Sequence, residues 1–229
     1  MNTSFETAKE HFLEYGYCNA SLKDIDLDFY NYLEANFLCD EKNNLQDRFH
    51  RLRFDSEIFR TTYISPIETY QDCLIKKEEF LKSYVDTSNP DGSITQCWYI
   101  SYKLDENDER NIISKGIYNI CKYFYDLSEN DSLDNTELQL SYYDKGCFFK
   151  EHRDGYSINL CSIIIYLNKD YKKENGGLLL LNGEEIVPEF GNIGFMDLSK
   201  SDISHGVSEV TGGPGRYAIL CFPKLKDLI

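Results

Sequence analysis

Little in this sequence points toward a membrane, an oxidising compartment or a polyanionic partner. No apolar run approaches the roughly 20 residues needed to cross a bilayer. The opening Met1-Asn2-Thr3-Ser4-Phe5-Glu6 has neither the basic nor the apolar portion of a secretory leader. The eight cysteines never form a C-x-x-C pair. Cys121, Cys147, Cys161 and Cys221 sit inside apolar runs, where a free thiol behaves as a small hydrophobe. These absences predict a reduced, soluble, cytoplasmic protein. Basic charge is also scarce, with 24 Lys and Arg against 39 Asp and Glu, a net −15. A field of that sign repels phosphate backbones, so nucleic acid is not the expected partner. No repeat, low-complexity tract or long linker divides the chain, which reads as one domain over 1–229. Oligomeric state has no signature here.

What is present is a core. The hydrophobic fraction is 41%, with 18 Tyr and 14 Phe, and a chain of this length hides roughly 70% of its unfolded surface. The first 135 residues read mainly as helical support with edge strands. A helix over 4–14 places Phe5, Ala8, Phe12 and Leu13 inward, and Tyr15–Cys18 is a brief strand. Ser21 or Asp24 caps a helix to about Cys39, with Ile25, Phe29, Leu33 and Phe37 on one stripe. Ser65-Pro66-Ile67-Glu68 is a capping box opening a helix to about Tyr84, ended by the turn Ser88–Gly92. A strand over Thr95–Tyr102 and a helix over Asp105–Leu127 follow, the latter turning Ile113, Ile117, Ile120 and Phe124 inward. Arg48, Arg51, Arg53 and Arg60 form the single basic cluster, read as a solvated surface in preference to an anion contact.

Beyond residue 136 the texture changes to short apolar runs. They fall at Leu138–Tyr143, Cys147–Lys150, Ile158–Asn168, Gly177–Leu181, Ile193–Met196, Ile203–Val207 and Arg216–Phe222. Turns such as Asp144-Lys145-Gly146, Asn182-Gly183 and Thr211–Gly215 separate them. Many short strands at regular spacing predict an antiparallel barrel. Helices followed by a barrel give an α+β class in which the first half buttresses one sheet.

The chemistry-bearing residues lie in that second half. Of four histidines, His152 and His205 stand out, because Asp154 follows His152 by two. Side chains two apart in an extended segment point to one side, so His152 and Asp154 can share a metal while Arg153 faces away. With His205 from another strand they make the facial two-histidine, one-carboxylate set that leaves coordination positions open. Asp154-Gly155 also suits a turn, and both roles are compatible. Arg216 follows His205 by eleven residues across the glycine-rich turn, so its strand can return beside that of His205. There it would be a fixed cation able to grip a carboxylate bidentately; the alternative is a surface arginine. Tyr143 and Tyr166 have hydroxyl tips that can reach a buried oxygen, or serve only as core. His11 and His50 lack partners at useful spacing.

Tyr143-x-x-Gly146, His152-x-Asp154, Tyr166-Leu167-Asn168, Gly176-Gly177-x-Leu179, His205 and Arg216-Tyr217-Ala218 together resemble the prolyl 4-hydroxylase-like iron(II)/2-oxoglutarate dioxygenases. The resemblance covers roughly the last 90 residues. It implies a double-stranded β-helix (jelly-roll, cupin-like) barrel holding Fe(II) through His152, Asp154 and His205. It implies 2-oxoglutarate as co-substrate on Arg216 with Tyr143 or Tyr166, O2 as oxidant, ascorbate as a candidate reductant, and release of succinate and CO2. The implied reaction is hydroxylation of an unactivated C–H bond, first of all on a prolyl residue of a peptide or protein. A free amino acid or other small metabolite is the enzymatic alternative, and a metal- or ligand-binding barrel without turnover the non-enzymatic one. Nucleic-acid demethylation fits poorly, since Phe222 stands where that branch resembles a second arginine. Substrate choice is expected in the segments 48–63, 86–93 and Asp170–Asn175.

Overall fold

A computed structural model describes residues 5–39, 59–60, 100–103, 108–128, 131–134, 138–143, 145–146, 148–153, 159–200 and 202–226. Arg48, Arg51, Arg53, His50, Cys147, Asp154, the helix expected over 65–84 and the turn at 88–92 lie outside those residues.

The strands are β1 (Tyr17–Ser21), β2 (Phe59–Arg60), β3 (Ile100–Lys103), β4 (Leu133–Asp134), β5 (Leu138–Tyr143), β6 (Phe149–Arg153) and β7 (Cys161–Tyr166). They continue with β8 (Leu179–Leu181), β9 (Glu184–Ile186), β10 (Asn192–Asp197), β11 (Ser204–Val207), β12 (Arg216–Cys221) and β13 (Lys224–Leu225). Seven make a large antiparallel sheet in the order β1-β10-β7-β12-β5-β3-β2, and four a smaller one, β6-β11-β8-β9. This is the barrel expected from the spacing of short strands. The strand β9 was not foreseen; Asn182 (φ 47) and Gly183 (φ 85) turn β8 into it, and positive φ at both central residues is what a tight hairpin demands.

The central strands of the large sheet are buried on both faces, and their alternation sorts side chains between two compartments. Ile163, Ile165, Ile193, Phe195, Tyr217, Ile219 and Cys221 face the helices. Ile164, Tyr166, Met196 and Ala218 face the barrel interior. A one-residue slip would exchange the two sets, so the register is strongly fixed. The helices are α1 (Phe5–Tyr15), α2 (Leu22–Ile25), α3 (Leu27–Phe37) and α4 (Asp108–Tyr125). The ring of Phe124 on α4 stacks on Phe195 of β10 at 4.3 Å, and Phe12 of α1 meets Phe195 edge-on at 5.0 Å. Ile113, Ile117, Ile120 and Phe124 are all buried, as the periodicity predicts.

Two expectations need correcting. Leu13 is 61% exposed; it follows Phe12 by one residue, a turn of about 100°, which carries it off the stripe defined by Ala8 and Phe12. The helix expected from Ser21 or Asp24 to Cys39 is broken at Asp26, whose backbone is extended (φ −148, ψ 91). Ser21 makes no side-chain cap. Asp26 does: it accepts the Phe29 N–H at 2.9 Å and the Asn119 amide at 2.6 Å. One carboxylate thus starts α3 and ties it to α4. The two helices approach closely, since a Cβ on Gly116 would lie 2.2 Å from the Phe29 ring.

Removing that carboxylate should loosen the helical layer. Asp26→Ala is expected to cost about 1–2 kcal/mol for the cap and the lost tie, read as a lower urea midpoint with an unchanged slope.

Candidate metal centre and carboxylate pocket

The barrel encloses a cavity of about 230 Å³ lined from both sheets, with Tyr143, Ser162, Ile164 and Arg216 on one wall and His152, Leu179, His205 and Val207 on the other. Arg216 and His205 reach it by a route different from the one expected. The strand β11 pairs with β6 and β8, so both its hydrogen-bonding edges are taken. The Thr211–Gly215 turn therefore crosses to the other sheet, where β12 pairs with β5 and β7. His205 and Arg216 face each other across the cavity instead of lying side by side.

His152 and His205 are direct cross-strand partners, and their rings lie 4.3 Å apart between centroids. Between the pairs His205↔His152 and Val207↔Phe149, two residues of β6 oppose the single Gly206 of β11. Such a bulge re-aims side chains, so Phe149 and His152, three apart, both reach the cavity. The Phe149 ring packs on the His152 ring at 4.3 Å. Gly206 makes the crossing possible: a Cβ there would lie 2.7 Å from the Phe149 carbonyl and 2.8 Å from the Glu151 nitrogen. His205 is 9% exposed with Nδ1 toward the Ile203 carbonyl at 3.4 Å; a proton on Nδ1 leaves the Nε2 lone pair for a metal. Arg153 points to solvent, as expected. Asp154, next along the chain, lies outside the described residues, and among those residues no cluster of three His, Cys, Asp or Glu side chains could hold a metal.

Across the cavity Arg216 is 1% exposed. Its guanidinium carbon sits 5.0 Å from the Tyr143 ring centre and 5.5 Å from that of Tyr166. Tyr143 is its cross-strand partner on β5. Nε and Nη2, the two nitrogens of the side-on fork, have no hydrogen-bond partner, and neither has the Tyr166 hydroxyl. Burial pushes the Tyr166 phenol well above its usual range, opposed by the charge of Arg216 and by the approach of its guanidinium N–H groups, which stops short of a well-formed hydrogen bond; it stays neutral. Unpaired buried donors around a buried cation are costly in isolation. They fit a carboxylate, whose coplanar oxygens can take two parallel N–H bonds from the fork and an O–H bond from the tyrosine.

Asn168 belongs to a motif quoted from the sequence but is given no role there, and Gly194 is not singled out; both hold this arrangement. Asn168 is fully buried. Its amide donates to the Gly215 carbonyl at 2.9 Å and accepts the Tyr217 N–H at 2.7 Å, clamping the backbone on both sides of Arg216. Gly194 makes room for the pocket: a Cβ there would lie 2.9 Å from the Tyr166 hydroxyl. Glycines inside strand patterns, Gly194 and Gly206 alike, are the signal that could have found these close approaches.

Residues 138–223 match the model of the 2OG-Fe(II) oxygenase superfamily. A search of curated proteins gives no match. Among solved structures, the chain is similar to a Pseudomonas putida prolyl-4-hydroxylase, with TM-score 0.56 and 13% identity, covering 96% of this chain and 98% of that one. It is similar to a Trichoplax adhaerens prolyl hydroxylase in complex with a hypoxia inducible factor oxygen degradation domain peptide fragment, at TM-score 0.54 and 14% identity, over 96% and 88% of the two chains. It is also similar to SnoN, a non-heme alpha-ketoglutarate-dependent epimerase from nogalamycin biosynthesis, at TM-score 0.50 and 11% identity, over 96% and 81%. The protein thus carries the double-stranded β-helix fold of the 2OG-Fe(II) oxygenases, with prolyl hydroxylases among its structural neighbours.

Gly206→Ala is expected to force β6 away from β11 and part the two imidazoles. A Co(II) titration should show affinity reduced by about 10–100-fold, with stability lower by about 1–3 kcal/mol from overpacking.

Proposed function

We propose that this chain is an Fe(II)- and 2-oxoglutarate-dependent dioxygenase that hydroxylates an unactivated C–H bond, on a prolyl residue of a peptide or protein. The observation that carries this reading is the unpartnered, buried fork of Arg216 facing a pair of imidazoles across one cavity. His152 and His205 would hold the metal together with Asp154, assigned from its two-residue spacing in the sequence. The far carboxylate of 2-oxoglutarate would sit on Arg216 and the Tyr166 hydroxyl, with the Tyr143 ring against the guanidinium. When bound, iron, O2 and 2-oxoglutarate supply the oxidising chemistry, with succinate and CO2 as by-products.

The protein's own share is orientation, charge and exclusion of water. A divalent metal with one carboxylate keeps a single positive charge, and the co-substrate dianion reverses it. Arg216 restores neutrality inside a low-dielectric cavity. Phe149, Val207, Leu179 and Ile164 supply apolar surface on both walls, so a group entering beside the imidazoles meets a setting that suits an uncharged ring or aliphatic side chain. The prolyl assignment rests on the likeness to prolyl hydroxylases, one of them holding a peptide.

Succinate formation dependent on Fe(II) and 2-oxoglutarate is the test, with mass spectrometry of proline-containing peptides for the hydroxylated product. His152→Ala should abolish both; succinate release that survives it would sink the reading. Arg216→Ala should weaken 2-oxoglutarate binding by about 2–5 kcal/mol, a factor of roughly 30 to several thousand, while Co(II) binding persists.

A further inference from the structure

One buried polar atom near Arg216 is not used by the reading above. The Tyr171 hydroxyl is buried without a hydrogen-bond partner, as are Arg216 Nε and Nη2 and the Tyr166 hydroxyl. Tyr171 lies outside β7 in the connection to β8 and is 6% exposed. Its place is fixed by the backbone. Asp170 adopts φ 54, and the Glu189 carboxylate accepts the N–H groups of Asp170 and of Tyr171, each at 2.9 Å. The turn so pinned folds the tyrosine back onto the barrel. Gly177, at φ 63, leaves the space between the tyrosine and the base of the arginine side chain: a Cβ there would lie 3.0 Å from the Tyr171 hydroxyl and 3.4 Å from the Arg216 Cβ. Burial pushes the phenol up to about 12 against the pull of the Arg216 charge, so it remains a protonated donor.

We propose that Tyr171 is a further binding residue of this pocket, its hydroxyl donating to the acid group gripped by the Arg216 fork, with Glu189 as the positioning residue that holds it there. The inference rests on Arg216 being the co-substrate anchor. Buried hydroxyls are rarely left unpaired, and an anion that satisfies Arg216 and Tyr166 brings acceptor oxygens with lone pairs to spare. Tyr171 would thereby set the depth of the pocket as well as its affinity.

The test is calorimetric titration of the full Mn(II)-loaded chain with 2-oxoglutarate and, separately, with 2-oxobutyrate, which lacks the far acid group. Tyr171→Phe should weaken 2-oxoglutarate binding about tenfold or more, as expected for a lost bond to a charged group. It should leave 2-oxobutyrate binding and the melting temperature of the ligand-free protein unchanged, because the hydroxyl has no partner to lose there. Glu189→Ala should weaken 2-oxoglutarate in the same sense, and the double variant should fall short of the product of the two effects. A Tyr171→Phe variant with native 2-oxoglutarate affinity, while Arg216→Ala still loses it, overturns the role of Tyr171 and leaves the co-substrate reading standing. An equal loss for both ligands, or a lowered melting temperature with unchanged affinity, makes the residue structural. A native protein that binds no 2-oxoglutarate removes both ideas together.

Discussion

A guanidinium sealed from water inside a protein sets terms for everything near it. Arg216 has lost its hydration and has received no carboxylate from the described part of the chain in exchange. The fold tolerates this because the cation is stiffly held: tyrosine rings flank it, and Asn168 grips the backbone before and after it. Loosen any of these and the side chain could turn toward solvent, which is energetically easier. Rigidity of this kind keeps the guanidinium and the rings beside it in one arrangement.

The two-compartment alternation of the central strands is what delivers that cation to the inside. In β12 the sequence Arg-Tyr-Ala-Ile-Leu-Cys sends Tyr217, Ile219 and Cys221 toward the helices and leaves Arg216 and Ala218 for the cavity. Phe195 does the same service on β10, anchoring α1 and α4 with its ring while Gly194 beside it keeps the cavity side clear. Packing of the helical layer and placement of the site are therefore one decision about register.

Much of this was legible in the residues. Strand positions and the inward face of α4 followed from periodicity, because those depend on local geometry alone. The sheet to which each strand belongs did not follow. A glycine-rich turn between His205 and Arg216 reads equally as a hairpin or a crossover, and only the occupied edges of β11 decide it. The cap at Asp26 was missed because the chain offered several acidic and hydroxyl candidates within a few residues, and the strand β1 consumed Ser21. Tyr171 and Glu189 carry no motif; their meeting depends on a turn with a left-handed residue, Asp170, that composition does not announce.

The superfamily match begins at β5, yet the large sheet does not. Its flanks, β1 beside β10 and β3 with β2 beside β5, come from residues before 104. A piece of chain cut to the matched segment would present two raw borders of unpaired N–H and C=O groups and a bare aromatic face at Phe195. Strand borders of that kind recruit other chains, so the early residues shield the matched half from association, built into the same molecule.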